Sequence, residues 1–103
     1  MNKILYEEEN FSVSRCNECG RTNLFFNNII VTFNSQDFDD FISGIDRVDF
    51  FQDSVVFPDR TAKVILKTCH KNIQFCLEEE EFNRLKNMLN QVGLLLEANK
   101  LIN

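Results

Sequence analysis

The sequence predicts an α+β fold: an antiparallel sheet built from two duplicated strand–strand–helix units, with both helices on one face. The prediction rests on an internal repeat, which appears when the chain is shifted against itself so that Asn28 falls on Asn72. In both copies apolar residues alternate up to Phe33 and Leu77 and then recur every three or four positions, as in a strand that leads into a helix. The matched apolar pairs are Ile29 with Ile73, Val31 with Phe75, Phe33 with Leu77, Phe38 with Phe82, Phe41 with Leu85, Ile45 with Leu89 and Val48 with Val92.

The two copies are predicted to span about 21–48 and 65–92 and to be joined by a linker over 49–62, part of which packs or pairs as an irregular strand. Each copy opens with a strand that is followed by a polar pair, residues 27–28 in the first copy and 71–72 in the second. Because Asn tolerates the positive φ of type I′ turns, we expect both pairs to form two-residue hairpin loops.

The helices follow these hairpins. The first is expected to begin near Asn34 or Ser35, and the second begins in the acidic run 78–81, where carboxylates favour the positive end of the helix dipole. The second helix is expected to continue past Gly93. Its apolar end is expected either to finish the core or to contact a second subunit, and the residues concerned are Leu94, Leu95, Leu96, Leu101 and Ile102.

The predicted pairing gives the sheet a buried face and a mixed face. The buried face holds Leu24, Phe26, Ile29, Val31, Phe33, Leu66, Ile73, Phe75 and Leu77. On the mixed face, Phe25, Ile30 and Ile65 are the candidate contacts with a protein partner or a second copy. The alternative is that these side chains are covered by the linker or by residues 11–15, which are predicted to form an extra edge strand.

Length and composition limit the class of protein. The 103 residues are enough for one domain with a modest core, and 44% apolar and 26% charged residues are typical of a soluble globular protein. A net charge of −5 weighs against nucleic-acid binding, which needs a basic surface. Since no apolar run is long enough to span a membrane and residues 1–10 do not resemble a secretory signal, we expect no membrane association and a cytoplasmic location.

The most specific motif is Cys16-x-x-Cys19-Gly20, because two thiolates at this spacing can bind one metal ion and a following glycine allows the tight turn they require. Four cysteines without a secretion signal do not predict a disulfide framework. The expected ion is zinc. A closed zinc site needs four ligands, and Cys69 and Cys76 are predicted to share one strand face, so a site formed by all four cysteines is the fullest version of this hypothesis.

Two other interpretations of the motif stay open. It is a hairpin turn with two reduced thiols if no metal binds. It is a redox pair if the thiols exchange with disulfides, but such pairs usually lie at a helix start, and a strand is predicted after Cys19.

Little in the sequence predicts catalysis. His70 is the only histidine, and although it follows Cys69 it is predicted to face away from it. The three glycines do not form a phosphate-binding loop. We therefore expect a protein that is not an enzyme.

The motifs together resemble a known family. The segments are Cys16-x-x-Cys19-Gly20, Leu24-x-Phe26-x-Asn28-Ile29, Phe38-x-x-Phe41, Asn72-Ile73 and Glu81-Phe82-x-x-Leu85. From Cys16 to Val92 the chain is similar to a family of small uncharacterised bacterial proteins, mainly from Bacteroidetes, that carry this CxxCG turn. The resemblance implies a bacterial, cytoplasmic setting and brings no assigned activity.

The sequence thus favours a non-enzymatic protein-interaction module that binds a protein partner or forms a homodimer. The alternative is a small zinc-binding protein that uses Cys16 and Cys19. A thiol–disulfide redox protein is the third hypothesis.

Overall fold

The computed structural model describes the backbone of residues 2–102 and the side chains of residues 3–98. The α+β class and the antiparallel pairing of the strands are confirmed. The elements in chain order are β1 (Asn2–Glu8), β2 (Phe11–Cys16), β3 (Thr22–Phe26), β4 (Ile29–Phe33), α1 (Ser35–Asp46), α2 (Phe50–Asp53), β5 (Val55–Val56), β6 (Ala62–Lys67), β7 (Gln74–Leu77) and α3 (Glu79–Ile102).

The strands lie in two sheets, where the sequence predicted one. The first sheet has the order β1-β2-β3-β4, and the second has the order β5-β6-β7. Each predicted hairpin is extended by strands that are close to it in sequence, β1 and β2 in the first sheet and β5 in the second. The segment 11–15 is therefore not an edge strand, because β1 pairs with its outer side.

The described chain divides into two compact units. One runs up to Asp40 and resumes at Gln91, and the other is Phe41–Asn90. Both limits fall inside helices, so α1 and α3 each contribute residues to both units. In both predicted copies a hairpin is followed by a helix, as expected, while the duplication itself stays a prediction.

In the first unit, two short turns fix the register of the four-stranded sheet. Glu8 pairs with Phe11, and Phe26 pairs with Ile29, so each turn has two residues. The prediction of a tight turn at 27–28 is confirmed, but only Asn27 has a positive φ (58°), so the turn is not type I′. The N–H of Asn27 donates to the carbonyl oxygen of Asn10 at 2.7 Å, and this bond connects the two turns.

One face of this sheet is buried. The fully or nearly fully buried side chains on its strands are Phe11, Val13, Thr22, Leu24, Phe26, Val31 and Phe33. Phe38, Val92 and Leu96 supply the buried helical side chains of the same unit. Burying a large apolar side chain contributes about 2–3 kcal/mol, so this alternation is the main source of the unit's stability.

The predicted core is wrong at one position in each hairpin, because Ile29 and Ile73 are both 40% exposed. Ile29 is the first residue of the edge strand β4, directly after the turn. Ile73 lies before β7, in a loop. Among the apolar residues near the chain end, Leu96 is buried and Leu94 and Leu95 are exposed, while the side chains of Leu101 and Ile102 lie outside the described residues.

In the second unit, a tight turn forms at 71–72 as predicted, closed by the N–H of Ile73 on the carbonyl oxygen of His70 at 3.0 Å. The predicted two-residue hairpin loop is wrong, because Lys67 pairs with Gln74 and the loop between them has six residues. The Thr68 hydroxyl sets this geometry. It donates to the carbonyl oxygen of Ile73 at 2.8 Å and accepts from the N–H of His70 at 3.0 Å. Main-chain and side-chain hydrogen bonds thus close this loop together, and Ile73 lies outside the strand.

The core of the second unit follows the predicted faces of its hairpin. Val64 and Leu66 on β6 and Phe75 and Leu77 on β7 are buried. The ring of Phe75 lies 5.9 Å from that of Phe41, centroid to centroid. The helical side chains buried in this unit are Phe41, Ile45, Phe50, Phe82, Leu85, Met88 and Leu89.

The helix starts agree with the sequence. The Asn34 side chain accepts the N–H of Asp37 at 2.7 Å and caps α1, and the Glu81 carboxylate accepts the N–H of Glu78 at 3.1 Å before α3. Helix α3 continues past Gly93, as predicted. In the linker, β5 pairs with β6, which confirms the expected irregular strand, and Asp49 caps the short helix α2. Over the described residues, no helix has the length and hydropathy that a membrane span requires.

Candidate functional site

The candidate site is the cysteine knuckle, residues 16–20, at the turn from β2 to β3. Two main-chain hydrogen bonds close it: the N–H of Cys16 donates to the carbonyl oxygen of Arg21, and the N–H of Gly20 donates to that of Cys16, both at 2.9 Å. Gly20 has a φ of 73°, which lies in the left-handed region that favours glycine. The Ser35 hydroxyl, at the start of α1, donates to the Gly20 carbonyl oxygen at 3.3 Å.

This closed turn directs a main-chain donor at sulfur. The N–H of Cys19 donates to the Sγ atom of Cys16 at 3.3 Å, a distance suited to a hydrogen bond to sulfur. Cys16 is half-buried and Cys19 is exposed. One sulfur is therefore held by the backbone of the turn, and the other is open to solvent.

The same contacts lower the pKa of the Cys16 thiol from its ordinary value of 9.0 to about 7. The largest cause is the hydrogen bond from the Cys19 side chain, and the main-chain N–H groups of Cys19 and Glu18 add to it. Because donors stabilise the charged form, a substantial fraction of Cys16 is thiolate at neutral pH. The thiolate is both the metal ligand and the nucleophile of cysteine chemistry.

Charges around the knuckle are mixed. Arg15 precedes it and Arg21 follows it, while Glu18 is the carboxylate within it. Arg15 pairs with Thr22 across the sheet, and its Nε atom lies 3.4 Å from the Thr22 hydroxyl oxygen, which holds the arginine stem against the strand. Over residues 15–21 the chain thus carries two basic side chains and one acidic side chain.

Cys69 and Cys76 are the other two predicted ligands. Both are exposed, and both belong to the unit Phe41–Asn90, whereas Cys16 and Cys19 belong to the other unit. The prediction that Cys69 and Cys76 share a strand face is wrong, because Cys69 lies in the six-residue loop. Among the side chains that the structure describes, no three from His, Cys, Asp or Glu are grouped as a metal-binding set.

Two of the three predicted interface residues are neighbours. Phe25 on β3 and Ile30 on β4 are directly paired, on the face opposite the buried one, and Ile30 is 67% exposed. Phe25 also borders an open cleft of about 430 Å³ whose other lining residues are Glu7, Glu8, Glu9, Phe11 and Ser12. Ile65, paired with Cys76, lies in the second sheet.

Further exposed apolar side chains lie in the linker, which the sequence analysis assigned to no surface. Phe51 is 82% exposed, and Val55 and Val56 are exposed as well. The linker's apolar residues follow no clear period, so the sequence gives no sign of which of them point outward. The sequence also contains no signal of the hydrogen bond from the Cys19 N–H to the Cys16 sulfur, because that bond depends on how the turn closes.

Comparison with known proteins gives one result. Residues 1–98 match a family that is described as "Family of unknown function (DUF6686)". No curated protein and no solved structure matches the chain. The expectation of a family without an assigned activity is thereby confirmed. Because the match covers nearly the whole chain, this protein belongs to DUF6686, a family of unknown function.

Proposed function

We propose that this chain is a small metal-binding protein that is not an enzyme and that holds a zinc ion between the sulfur atoms of Cys16 and Cys19. The observation that carries the proposal is the main-chain N–H of Cys19 directed at the Cys16 sulfur, across a turn that Gly20 closes. The family resemblance adds a bacterial cytoplasm as the setting.

The contact supports metal binding for two reasons. First, N–H donors stabilise a thiolate, and thiolate is the form that zinc binds, at about 2.3 Å. Second, the turn is already closed by hydrogen bonds and tied to Ser35, so little chain entropy is lost when an ion binds. Zinc suits thiolates and tolerates a tetrahedral arrangement without a redox change.

The test is a titration with Co²⁺, whose visible absorption reports tetrahedral thiolate coordination, followed by displacement with Zn²⁺. We expect Cys16→Ser and Cys19→Ser each to weaken binding roughly 100-fold or more, because each removes half of the chelate. Cys69→Ser and Cys76→Ser are the matched controls, since both residues are exposed cysteines outside the knuckle.

The controls also separate the two versions of the site. Equal losses from all four substitutions would support a site made of Cys16, Cys19, Cys69 and Cys76. Binding that survives Cys16→Ser and Cys19→Ser, or wild-type protein that binds no metal, would contradict the proposal.

A second candidate is a protein-interaction module, supported by the paired apolar side chains of Phe25 and Ile30 on an exposed sheet face. In that case Ile30→Asp is expected to reduce self-association, measured by light scattering at micromolar concentration. Ile65→Asp is the comparison for the second sheet. A protein that is monomeric at that concentration would contradict self-association through this face.

Thiol–disulfide exchange is the third candidate, supported by the lowered pKa of Cys16. The Cys16 thiolate would attack a disulfide of a substrate protein, and Cys19 would then displace the mixed disulfide, so that the substrate is reduced and the pair is oxidised. A disulfide between Cys16 and Cys19 that forms reversibly in a glutathione buffer would support this role. Failure of the pair to oxidise in that buffer would contradict it.

A further inference from the structure

The knuckle supplies two sulfur ligands from one short turn, and a closed zinc site uses four. We propose that two copies of this chain share one zinc ion, each contributing Cys16 and Cys19, so that the metal bridges a symmetric dimer. This inference rests on the function proposed above and deepens it by naming the partner that completes the site.

The first support is access. Asn17, Glu18 and Cys19 are all exposed, at the end of the hairpin formed by β2 and β3. A second chain can therefore approach the sulfur of Cys19 without moving a buried side chain. Neither strand of this hairpin has to change its pairing, because the main-chain closure of the turn uses groups other than the two sulfurs.

The second support is symmetry. In a two-fold dimer the same surface patch meets itself, so one chelating pair becomes four ligands without any further residue type. A two-fold axis through the ion is compatible with tetrahedral coordination, because the two chelates can lie in crossed planes. The turn is also tied to the start of α1 through Ser35 and Gly20, and the N–H of Cys19 donates to the Cys16 sulfur, so the two cysteines are linked before an ion binds.

The third support is charge. Zinc with four thiolates carries two net negative charges. In the sequence Arg15 and Arg21 flank the knuckle and Glu18 lies within it, so each chain adds one net positive charge over residues 15–21, opposite in sign to that of the site. Each whole chain carries a net charge of −5. Two chains of like net charge repel each other, but at physiological ionic strength exposed charges more than about 8 Å apart are largely screened. The charges close to the knuckle therefore affect dimerisation more than the net charge does.

The experiment measures molar mass and bound metal together, by sedimentation of the full chain at micromolar concentration with and without Zn²⁺. We expect zinc to double the mass from 12.1 kDa, with one ion per two chains, and a chelator to reverse the change. Cys19→Ser should remain a monomer with a circular dichroism spectrum like that of the wild type. The double variant with Cys69→Ser and Cys76→Ser should dimerise as the wild type does.

A second variant tests the charge argument with both sulfurs intact. Arg21→Glu is expected to weaken zinc-dependent dimerisation several-fold, and more at low salt than at high salt. Lys71→Glu, which changes an exposed basic residue of the other unit, is the matched control and should leave dimerisation unchanged.

The outcomes separate this inference from the function on which it rests. One zinc ion per chain in a monomer overturns the shared site and leaves the metal-binding function standing. A mass that is already doubled without metal and unaffected by the chelator overturns the bridging role. A wild-type chain that binds no zinc overturns both.

Discussion

Two loops of this molecule carry a cysteine next to a strand end, and they differ in the groups that supplement their main-chain hydrogen bonds. In the knuckle, main-chain groups of Cys16, Gly20 and Arg21 bond to one another, and the N–H of Cys19 is left to donate to sulfur. In the loop after β6, one main-chain bond joins Ile73 to His70, and the Thr68 hydroxyl adds two more bonds. The comparison shows that main-chain bonds close both loops and that different groups are added to this closure. The knuckle adds an N–H donor directed at a sulfur, and the loop after β6 adds a hydroxyl.

The largest effect on the knuckle is expected from a substitution that strains its backbone. Gly20→Ala places a side chain at a φ of 73°, which costs about 1–2 kcal/mol for an L-residue. A new Cβ meets no atom within 4 Å there, so the effect is backbone strain and not a clash. We expect a lower melting temperature and zinc binding weakened by up to roughly tenfold, measured by thermal unfolding and metal titration.

Gly44→Ala is the matched control. Its Cβ also has open space, but Gly44 lies inside α1, where alanine is favoured by roughly 0.5–1 kcal/mol. The two substitutions should therefore have opposite signs. A Gly20→Ala variant as stable as the wild type would show that the positive φ does not hold the knuckle.

A smaller effect is expected in the other loop. Thr68→Val keeps the shape of the side chain and removes the hydroxyl that bonds to Ile73 and His70. Because these bonds are exposed, we expect a loss of about 1 kcal/mol in the free energy of unfolding, measured with urea. Zinc binding should not change. A zinc affinity that falls with Thr68→Val would mean that the second loop takes part in the site.

The smallest effect concerns the charge state of the knuckle. With a pKa of about 7, Cys16 should react with iodoacetamide along a pH profile whose midpoint is near 7, about two pH units below that of an ordinary thiol. The pKa is lower in the folded state than in the unfolded one, so the thiolate contributes stability that is fully present above pH 9. This contribution is lost as the pH falls through 7.

Cys19→Ala should move this midpoint upward, because the side-chain hydrogen bond is the largest cause of the shift. The rate is followed by mass spectrometry on the Cys16 peptide. An unchanged midpoint in Cys19→Ala would assign the shift to the main-chain donors instead.

Periodicity predicted the parts of the fold that are buried on one side. The faces of β3, β4, β6 and β7 and the starts of α1 and α3 are recoverable because burial imposes a period of two or of about 3.6. Strand β1 was missed because its pairing with β2 shifts register between Ile4 and Tyr6, and this irregularity breaks the alternation. The ends of strands were missed too, since Ile29 and Ile73 fit the apolar period while lying beside loops.

The sequence also predicted only part of the candidate site. The spacing of Cys16, Cys19 and Gly20 indicates a turn that can hold two sulfurs, and the structure forms that turn. The grouping of Cys69 with Cys76 failed because the strand pairing ends at Lys67 and Gln74, and the bonds of Thr68, His70 and Ile73 that form the longer loop leave no trace in a pattern of apolar residues.

The division of α1 and α3 between the two units has a consequence for synthesis on the ribosome. The unit that contains the knuckle begins before the other unit in the sequence, yet two of its buried side chains, Val92 and Leu96, are made only after every residue of that other unit. The four-stranded sheet must therefore wait for the end of α3 before its unit is complete, whereas the residues of the other unit form one continuous stretch that ends at Asn90. A nascent chain halted at Asn90 would hold both cysteines of the knuckle on a sheet whose core is still missing those two residues.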